Sequence, residues 1–383
     1  MIYLDSAATS LMKPDTVAEA VSQAIHGLAS PGRGTYPASL DAARLVYATR
    51  ERTAALFAAE GPECVAFTSN ATEALNIALK GLFVRGDCIL TTVLEHNSVL
   101  RPLYELERRG IRNFILEADE RGCVCYDQME KTLIHNPRIA AVITTHASNL
   151  TGNLVDLTRI GKICAKHHRL FLVDASQTAG VFPIHMQRQH IDVLCFTGHK
   201  GLMGLQGTGG ICVRHGLQLR ELKSGGSGSQ TFSTHHPALM PEHLEAGTMN
   251  VHGLAGLKAG LDYLQEEGMD NIRRRELRLA RRFYEMVHEI PGVTVYGDFT
   301  RELRAPIVSL NIADLPSALV SDMLSVQYDI CTRPGGHCAP LMHRHFGTEK
   351  QGMVRFSFSH FNTPSEIERA AWAVRKIAAE EAG

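Results

Sequence analysis

The chain has 383 residues, a formal net charge of −1 and 21% charged residues. This near-neutral balance, without a long basic or acidic block, gives no support for nucleic acid or an anionic membrane surface as a partner. No apolar run approaches the ~20 residues of a transmembrane helix, and the first residues lack the basic start and apolar middle of a signal peptide. Nine cysteines scattered along the chain indicate reduced thiols in a cytoplasmic protein rather than a disulfide framework.

Helical and strand patterns alternate through the first part of the chain. The predicted helices there cover residues 17–28, 42–59, 74–82, 100–109 and 157–168. The predicted strands cover residues 64–67, 87–93, 111–116, 140–145, 170–173, 193–197 and 209–213. This alternation predicts an α/β fold with a mostly parallel central sheet that is covered by helices on both faces.

The remaining third of the chain has a different pattern, which follows a flexible Ser/Gly stretch at residues 224–229. The predicted helices are 251–268, 272–290, 316–325 and 364–381, and the predicted strands are 293–296, 307–312, 330–333 and 353–357. We therefore expect a large domain at residues 15–250, and a smaller α+β domain formed by residues 1–14 together with 251–383.

Polar clusters follow five residues at the carboxyl ends of predicted strands: Phe67, Val93, Thr145, Val173 and Phe196. In a mostly parallel sheet the chemistry gathers beyond the carboxyl ends of the strands. The sequence therefore predicts that these clusters converge on one site.

Lys200 and Asp174 are the two residues of these clusters that suggest a chemistry. Lys200 lies in a glycine-rich segment, and Asp174 ends the apolar run 170–174. A desolvated lysine can bind a carbonyl cofactor, and a carboxylate can hold a protonated pyridine nitrogen, which together suit pyridoxal phosphate. Taken singly, a solvated loop lysine and an Asp that caps the next turn are the simpler interpretations.

The segment from Asn70 to Glu73 has the letters of a capping box, and the same helix start with the Thr72 hydroxyl could bind phosphate. His96 could stack on a cofactor ring and move protons, or it could simply cap a helix. Asn149 could hydrogen-bond a substrate carboxylate, or it could form an Asx turn.

Cys338 lies in a loop bounded by proline and glycine, beside His337 and five residues after Arg333. Nearby positive charge would lower the pKa of a thiol there and favour the thiolate. Metal binding through His337, Cys338, His343 and His345 is a rival interpretation, but their spacing matches no zinc signature, and we expect no metal. Arg355 suits a bidentate clamp on a carboxylate, or it is a surface arginine of a strand.

Together these residues resemble the class V aminotransferase-fold family of pyridoxal phosphate enzymes, and most of all its group II (SufS-like) cysteine desulfurases and selenocysteine lyases. The resemblance spans essentially the whole chain, from Tyr3-Leu-Asp-Ser-Ala-Ala-Thr9 to Arg355-Phe-Ser-Phe-Ser-His-Phe-Asn-Thr363. It implies the aspartate aminotransferase-like fold (fold type I), with the cofactor on the large domain and the cysteine loop on the small one.

The resemblance also implies a role for each candidate residue. Lys200 would bind the cofactor aldehyde, Asp174 its pyridine nitrogen and Gln177 its phenolic oxygen, while His96 would stack on the ring. The phosphate site would be formed by Ala71, Thr72, Thr197, His199 and, from the other subunit of a homodimer, Thr248. Asn149, Arg333 and Arg355 would take the substrate carboxylate, and Cys338 would accept sulfur.

The implied activity converts L-cysteine to L-alanine, and the sulfur passes to Cys338 as a persulfide and then to an acceptor such as a small protein. Release of selenium from L-selenocysteine is the first alternative, followed by another class V reaction such as epimerisation or transamination, and by a non-catalytic sulfur carrier or scaffold. Three residues depart from the family's common pattern: Ala71, Met249 and Gly336. Of these, Gly336 adds flexibility to the cysteine loop.

Overall fold

The computed structural model describes residues 1–32 and 34–381. Its strands, in chain order, are β1 (Ile2–Tyr3), β2 (Val65–Thr68), β3 (Cys88–Thr92), β4 (Arg112–Leu116), β5 (Ile139–Thr145), β6 (Leu170–Asp174), β7 (Val193–Thr197), β8 (Gly209–Val213), β9 (Val293–Tyr296), β10 (Ile307–Ile312), β11 (Ile330–Cys331), β12 (Arg333–Gly335) and β13 (Met353–Ser357). Its helices are α1 (Asp15–Gly27), α2 (Pro37–Phe57), α3 (Ala71–Leu82), α4 (Asn97–Arg108), α5 (Tyr126–His135), α6 (Leu157–Lys166), α7 (Val251–Glu267), α8 (Met269–Val287), α9 (Ser317–Tyr328), α10 (Pro340–His345) and α11 (Pro364–Glu381).

The largest sheet has seven strands in the order β2-β8-β7-β6-β5-β3-β4. The strands from β4 to β7 run parallel to their neighbours, whereas β8 runs antiparallel to both β7 and β2. Consequently β2 points the same way as the five parallel strands, and only β8 is reversed. The prediction of an α/β fold with a mostly parallel sheet is confirmed.

Apart from the edge strand β4, the strands of this sheet are largely buried on both faces, which explains why they read as apolar runs. Every residue of β3, β7 and β8 is buried. Successive side chains point to opposite faces, so Leu90 and Phe171 join one hydrophobic cluster while Ile89 and Leu172 join another. The rigid sheet therefore holds its strand ends in fixed relative positions.

A four-stranded antiparallel sheet, in the order β12-β13-β10-β9, forms the second layer with α8, α9 and α11. The N-terminal strand β1 pairs in parallel with β11, and Asp5 bridges to Ser357 of β13. The N-terminal residues thus lie on the C-terminal part of the chain. The proposed domain division stays a prediction, and α7 contributes to the same hydrophobic cluster as α2.

Several local features differ from the sequence-based expectation, among them the short strand β1, which was not predicted. The predicted strand 330–333 is split into β11 and β12, which pair with different neighbours. Helices α5 and α10 were not predicted, although α5 buries Tyr126, Met129 and Leu133 on one face. Short helices of this kind give few turns of periodicity, so loop and helix patterns are hard to tell apart. Across the described ranges, no helix is long and apolar enough to cross a membrane.

Candidate active site

The carboxyl ends of β2, β5, β6 and β7 surround a cavity of about 200 Å³. Its walls include nine of the side chains predicted for the site: Ala71, Thr72, His96, Asn149, Asp174, Gln177, Thr197, His199 and Lys200. The geometry of a parallel sheet, which aligns its strand ends, is the reason that residues so distant in sequence meet.

Lys200 follows β7 and reaches this cavity from a tightly packed turn. A Cβ atom added to the next residue, Gly201, would lie 2.5 Å from the carbonyl oxygen of Ala179, so backbone packs directly against backbone here. Burial, helped by the Arg355 guanidinium, lowers the pKa of Lys200 from 10.5 to about 8. A substantial fraction of the amine is therefore neutral, and nucleophilic, near physiological pH.

Asp174 ends β6 and is 3% exposed. Its Oδ1 accepts hydrogen bonds from the backbone N–H and the hydroxyl of Ser176, at 2.9 and 2.5 Å. These bonds leave Oδ2 without a partner among the residues that the structure describes. A buried carboxylate needs a cationic partner, and a protonated ring nitrogen in the cavity would provide one.

His96 caps the start of α4 through its own ring. Its Nδ1 accepts a hydrogen bond from the Ser98 N–H at 3.0 Å, and the Ser98 hydroxyl lies 2.7 Å from the Thr72 hydroxyl. Burial lowers the pKa of His96 below 6.5, so the ring is neutral at physiological pH. His96 therefore caps α4 and lines the cavity at the same time, because the hydrogen bond to Ser98 fixes its ring.

The start of α3 forms another wall of the cavity. Asn70 Oδ1 accepts from the Glu73 N–H at 2.9 Å, as expected of a capping box. In turn, Glu73 Oε2 accepts a hydrogen bond from the Ser69 N–H at 2.7 Å, rather than from the N–H of Asn70. Across the cavity, the buried Thr197 hydroxyl has no hydrogen-bond partner within residues 1–32 and 34–381. An exposed helix start with an unpaired hydroxyl opposite suits a phosphate group.

These free groups have the chemical types that pyridoxal phosphate requires. The partly neutral amine of Lys200, the unpaired Oδ2 of Asp174 and the unpaired hydroxyl of Thr197 line one cavity. They would receive the aldehyde, the ring nitrogen and the phosphate in turn. The residues present therefore match the group that the sequence suggests.

Thr248 is not brought into this cavity. It lines a separate cavity of about 210 Å³ together with Ser69, Glu73 and Lys223, on the outer side of the α3 start. Within one chain, the predicted phosphate contact of Thr248 is therefore not made, and the prediction assigns it to a second subunit.

The candidate carboxylate site lies where the two sheets meet. Arg355 is 3% exposed and donates to the Asn149 carbonyl oxygen at 2.9 Å and to Asp5 Oδ1 at 3.2 Å. Arg333 Nε donates to Asp5 Oδ1 at 3.1 Å and to Oδ2 at 2.9 Å, and Arg333 Nη2 forms an ion pair with Oδ2 at 2.7 Å. Sequence reasoning missed Asp5, because no local pattern reveals a contact between residues separated by 350 positions.

Cys338 lies in an exposed turn between β12 and α10, with a φ angle of 54°. Its carbonyl oxygen accepts from the Asn97 N–H at 2.7 Å, and the Asn149 side chain donates to the His337 carbonyl oxygen at 2.7 Å. The cysteine turn is therefore tied to two walls of the Lys200 cavity.

His337 does not supply the positive charge expected beside Cys338. Burial and the neighbouring Arg355 lower the pKa of His337 to about 3, so its ring is neutral at physiological pH. The positive charge on this side of the turn belongs to Arg333.

Side chains that could bind a metal ion lie close together at another place, not at the cysteine turn. In the described part of the chain, the one group whose ligand atoms all lie within 4.8 Å of one another is Glu63, Cys64 and His215. The loop histidines considered with Cys338 form no such group there.

Glu95, directly before His96, is a buried acid that sequence reasoning did not single out. It is fully buried, and it accepts hydrogen bonds from the Thr92 hydroxyl at 2.7 Å and the Thr145 N–H at 2.9 Å. Burial, with a further contribution from Asp174, raises the pKa of Glu95 to about 8. Glu95 thus joins β3 to β5 as a largely protonated acid at neutral pH.

Comparisons with known proteins agree with this geometry. The family model described as aminotransferase class-V matches residues 2–370. A probable cysteine desulfurase from Methanothermobacter thermautotrophicus is 33% identical over 98% of this chain and 94% of the relative.

Two solved structures superpose over nearly the whole chain. The apo structure of a cysteine desulfurase from Thermococcus onnurineus has a TM-score of 0.93 at 32% identity, covering 99% of this chain and 95% of the other. The cysteine desulfurase CsdA from Escherichia coli has a TM-score of 0.88 at 27% identity, covering 99% and 94%. With its cavity, its sheet topology and its family match in agreement, the chain belongs to the class V aminotransferase family.

Proposed function

We propose that the protein is a pyridoxal phosphate-dependent cysteine desulfurase, which converts L-cysteine to L-alanine and takes the sulfur on Cys338. One observation carries the proposal: the cavity of Lys200 and Asp174 is tied, through Asn149, to the turn that exposes Cys338. The relatives named as cysteine desulfurases, which align over almost the entire chain, support the same activity.

When bound, pyridoxal phosphate would act as an electron sink for the substrate's Cα carbanion. The chain's own residues would do the rest. Asp174 would keep the ring nitrogen protonated, and Gln177 and His96 would fix the ring. Lys200, once displaced by the substrate amine, would take the proton from Cα as a general base.

Sulfur transfer would fall to Cys338. Its thiolate would attack the substrate sulfur, so that an S–S bond forms while the Cβ–S bond breaks. The electron pair left on Cβ would take up a proton, Lys200 would return a proton to Cα, and alanine would leave. Arg355 and Asn149 would hold the substrate carboxylate during these steps, with Arg333 beside them. Covalent capture of sulfur divides one difficult transfer into two easier ones.

We further propose that the chain is a group II member of its family. Cys338 is the fifth residue after Arg333, and the turn lies between β12 on one side and α10 on the other. This compact connection supports a short cysteine arm rather than a long mobile loop. Selenocysteine would fit the same site, because it has the same shape and a better leaving atom.

The proposed assembly is a cytoplasmic homodimer. Thr248, which lies outside the Lys200 cavity of its own chain, would contact the phosphate bound by the partner. The sulfur held on exposed Cys338 would then pass to an acceptor, for which a small protein is the proposed class.

The test is the release of alanine from L-cysteine and from L-selenocysteine, measured in parallel with holoenzyme and reductant. We expect release from L-cysteine, at rates that depend on enzyme concentration. Release from L-selenocysteine alone would assign the protein as a selenocysteine lyase instead. Absence of release from both, with pyridoxal phosphate bound, would contradict the proposed activity.

A further inference from the structure

The two arginines at the candidate carboxylate site lie directly opposite each other on neighbouring strands. Arg333 of β12 pairs in register with Arg355 of β13. Like charges in this arrangement destabilise a sheet, and Arg355 is almost completely buried, which makes its charge costly. A counter-charge is therefore needed between them.

Asp5 supplies that counter-charge. Its carboxylate accepts two hydrogen bonds from Arg333 Nε, at 3.1 Å to Oδ1 and 2.9 Å to Oδ2, and forms an ion pair with Arg333 Nη2 at 2.7 Å. Oδ1 also accepts a hydrogen bond from Arg355 Nη2 at 3.2 Å. Asp5 is itself buried, and its backbone is fixed by a bridge to Ser357 of β13. One carboxylate shared by two guanidiniums leaves the trio with a single net positive charge.

One hydrogen-bond donor of Arg355 is not used by any residue that the structure describes. Its buried Nε has no hydrogen-bond partner in the described ranges, while its Nη1 is held by the Asn149 carbonyl oxygen. A carboxylate that approaches the edge formed by Nε and Nη2 would find one free donor and one that is shared with Asp5. Because Asp5 also holds Arg333 with two bonds, it can release Arg355 at the cost of one hydrogen bond.

We propose that Asp5 is the positioning residue of the carboxylate site, where it sets both the orientation and the single net charge of the Arg333–Arg355 pair for one monocarboxylate amino acid. This inference rests on the proposed function for the identity of that amino acid. Since Arg333 begins the strand that leads to Cys338, the same contact links substrate binding to the cysteine turn.

The charge balance predicts how substitutions combine. Asp5→Asn would leave two uncompensated guanidiniums that repel, so the half-exposed Arg333 would turn to solvent and Arg355 would lose its orientation. Arg333→Gln would leave Asp5 to neutralise Arg355 alone. The double variant would restore one net positive charge with no repulsion, so it should recover part of what either single change loses.

The experiment measures kcat and KM for L-cysteine, and separately the binding of L-alanine to holoenzyme, followed by the absorbance of the bound cofactor. We expect each single variant to raise KM and the L-alanine dissociation constant by about tenfold, as a displaced clamp should, with kcat changed far less. We expect the double variant to lie closer to wild type than either single variant.

Asp298→Asn is the matched control, because Asp298 is equally buried and also accepts from an arginine, Arg301, at 3.1 Å. It should lower stability without altering the L-alanine dissociation constant.

Unchanged or tighter L-alanine binding in Asp5→Asn would overturn the proposal, as would a double variant that binds L-alanine more weakly than both single variants. If Asp5→Asn does not fold, Arg333→Gln with and without Asp5→Ser provides the same comparison. Failure of wild type to desulfurate L-cysteine while it binds L-alanine would count against the activity alone.

Discussion

At the scale of single residues, burial decides which side chains of the site carry a charge. It lowers the pKa of Lys200 to about 8, holds the pKa of His337 at about 3 and lowers that of His96. Both imidazoles are thus neutral near pH 7, whereas the lysine amine is poised between its two forms. The positive charge at the site therefore rests on the two arginines beside Asp5 and on the protonated fraction of Lys200.

The lowered pKa of Lys200 predicts how the apoenzyme takes up its cofactor. Only the neutral amine attacks an aldehyde, so the rate of pyridoxal phosphate uptake should rise with pH around a midpoint near 8, not near 10.5. Stopped-flow absorbance of apoenzyme mixed with cofactor measures this profile. Lys200→Arg should give no covalent signal at any pH, and a wild-type midpoint near 10.5 would contradict the buried environment.

At the scale of elements, the sequence predicts the strands of the large sheet because most of them are buried on both faces. Residues 193–197 and 209–213, for example, were predicted with the bounds that the structure has. The order of the strands and the reversal of β8 were not readable, since pairing between distant strands leaves no local pattern. For the same reason, the sequence did not reveal the role of Asp5, and it predicted β11 and β12 as one strand.

Glu95 gives a prediction at this scale, because it links β3 to β5. Its folded-state pKa of about 8 exceeds the ordinary 4.5, so between these values the folded protein binds a proton that the unfolded chain has released. Stability contributed by that proton is therefore lost as pH rises from 4.5 to 8. Glu95→Gln keeps the shape of the protonated acid and removes the titration.

We expect Glu95→Gln to gain stability relative to wild type as pH rises through this window. Urea unfolding of both proteins at several pH values measures the difference, in which the other titrating groups cancel. Asp298→Asn, which removes a carboxyl whose pKa lies below its ordinary value, should show no such gain. A difference between Glu95→Gln and wild type that does not change with pH would show that Glu95 is ionised when folded.

At the scale of the whole molecule, the site depends on three distant parts of the chain. The seven-stranded sheet supplies the Lys200 cavity, the C-terminal sheet supplies Arg355 and the Cys338 turn, and the N-terminal segment places Asp5 between the arginines. Most residues that line the cavity could be predicted from the sequence, because they follow strands of a mostly parallel sheet. Sequence reasoning could not predict how the N-terminal segment closes the carboxylate site, which depends on packing between the sheets.

The central claim is that Cys338 takes sulfur from L-cysteine within a site built by Lys200 and Asp174. The most direct measurement is alanine release from L-cysteine, with reductant present, by wild type, Cys338→Ala and the control Cys125→Ala, which replaces another exposed cysteine. We predict that wild type and Cys125→Ala release alanine at similar rates. Cys338→Ala should lose about a hundredfold or more in rate while it keeps bound pyridoxal phosphate, as expected when a nucleophile is removed. Wild-type rates from Cys338→Ala would contradict the account.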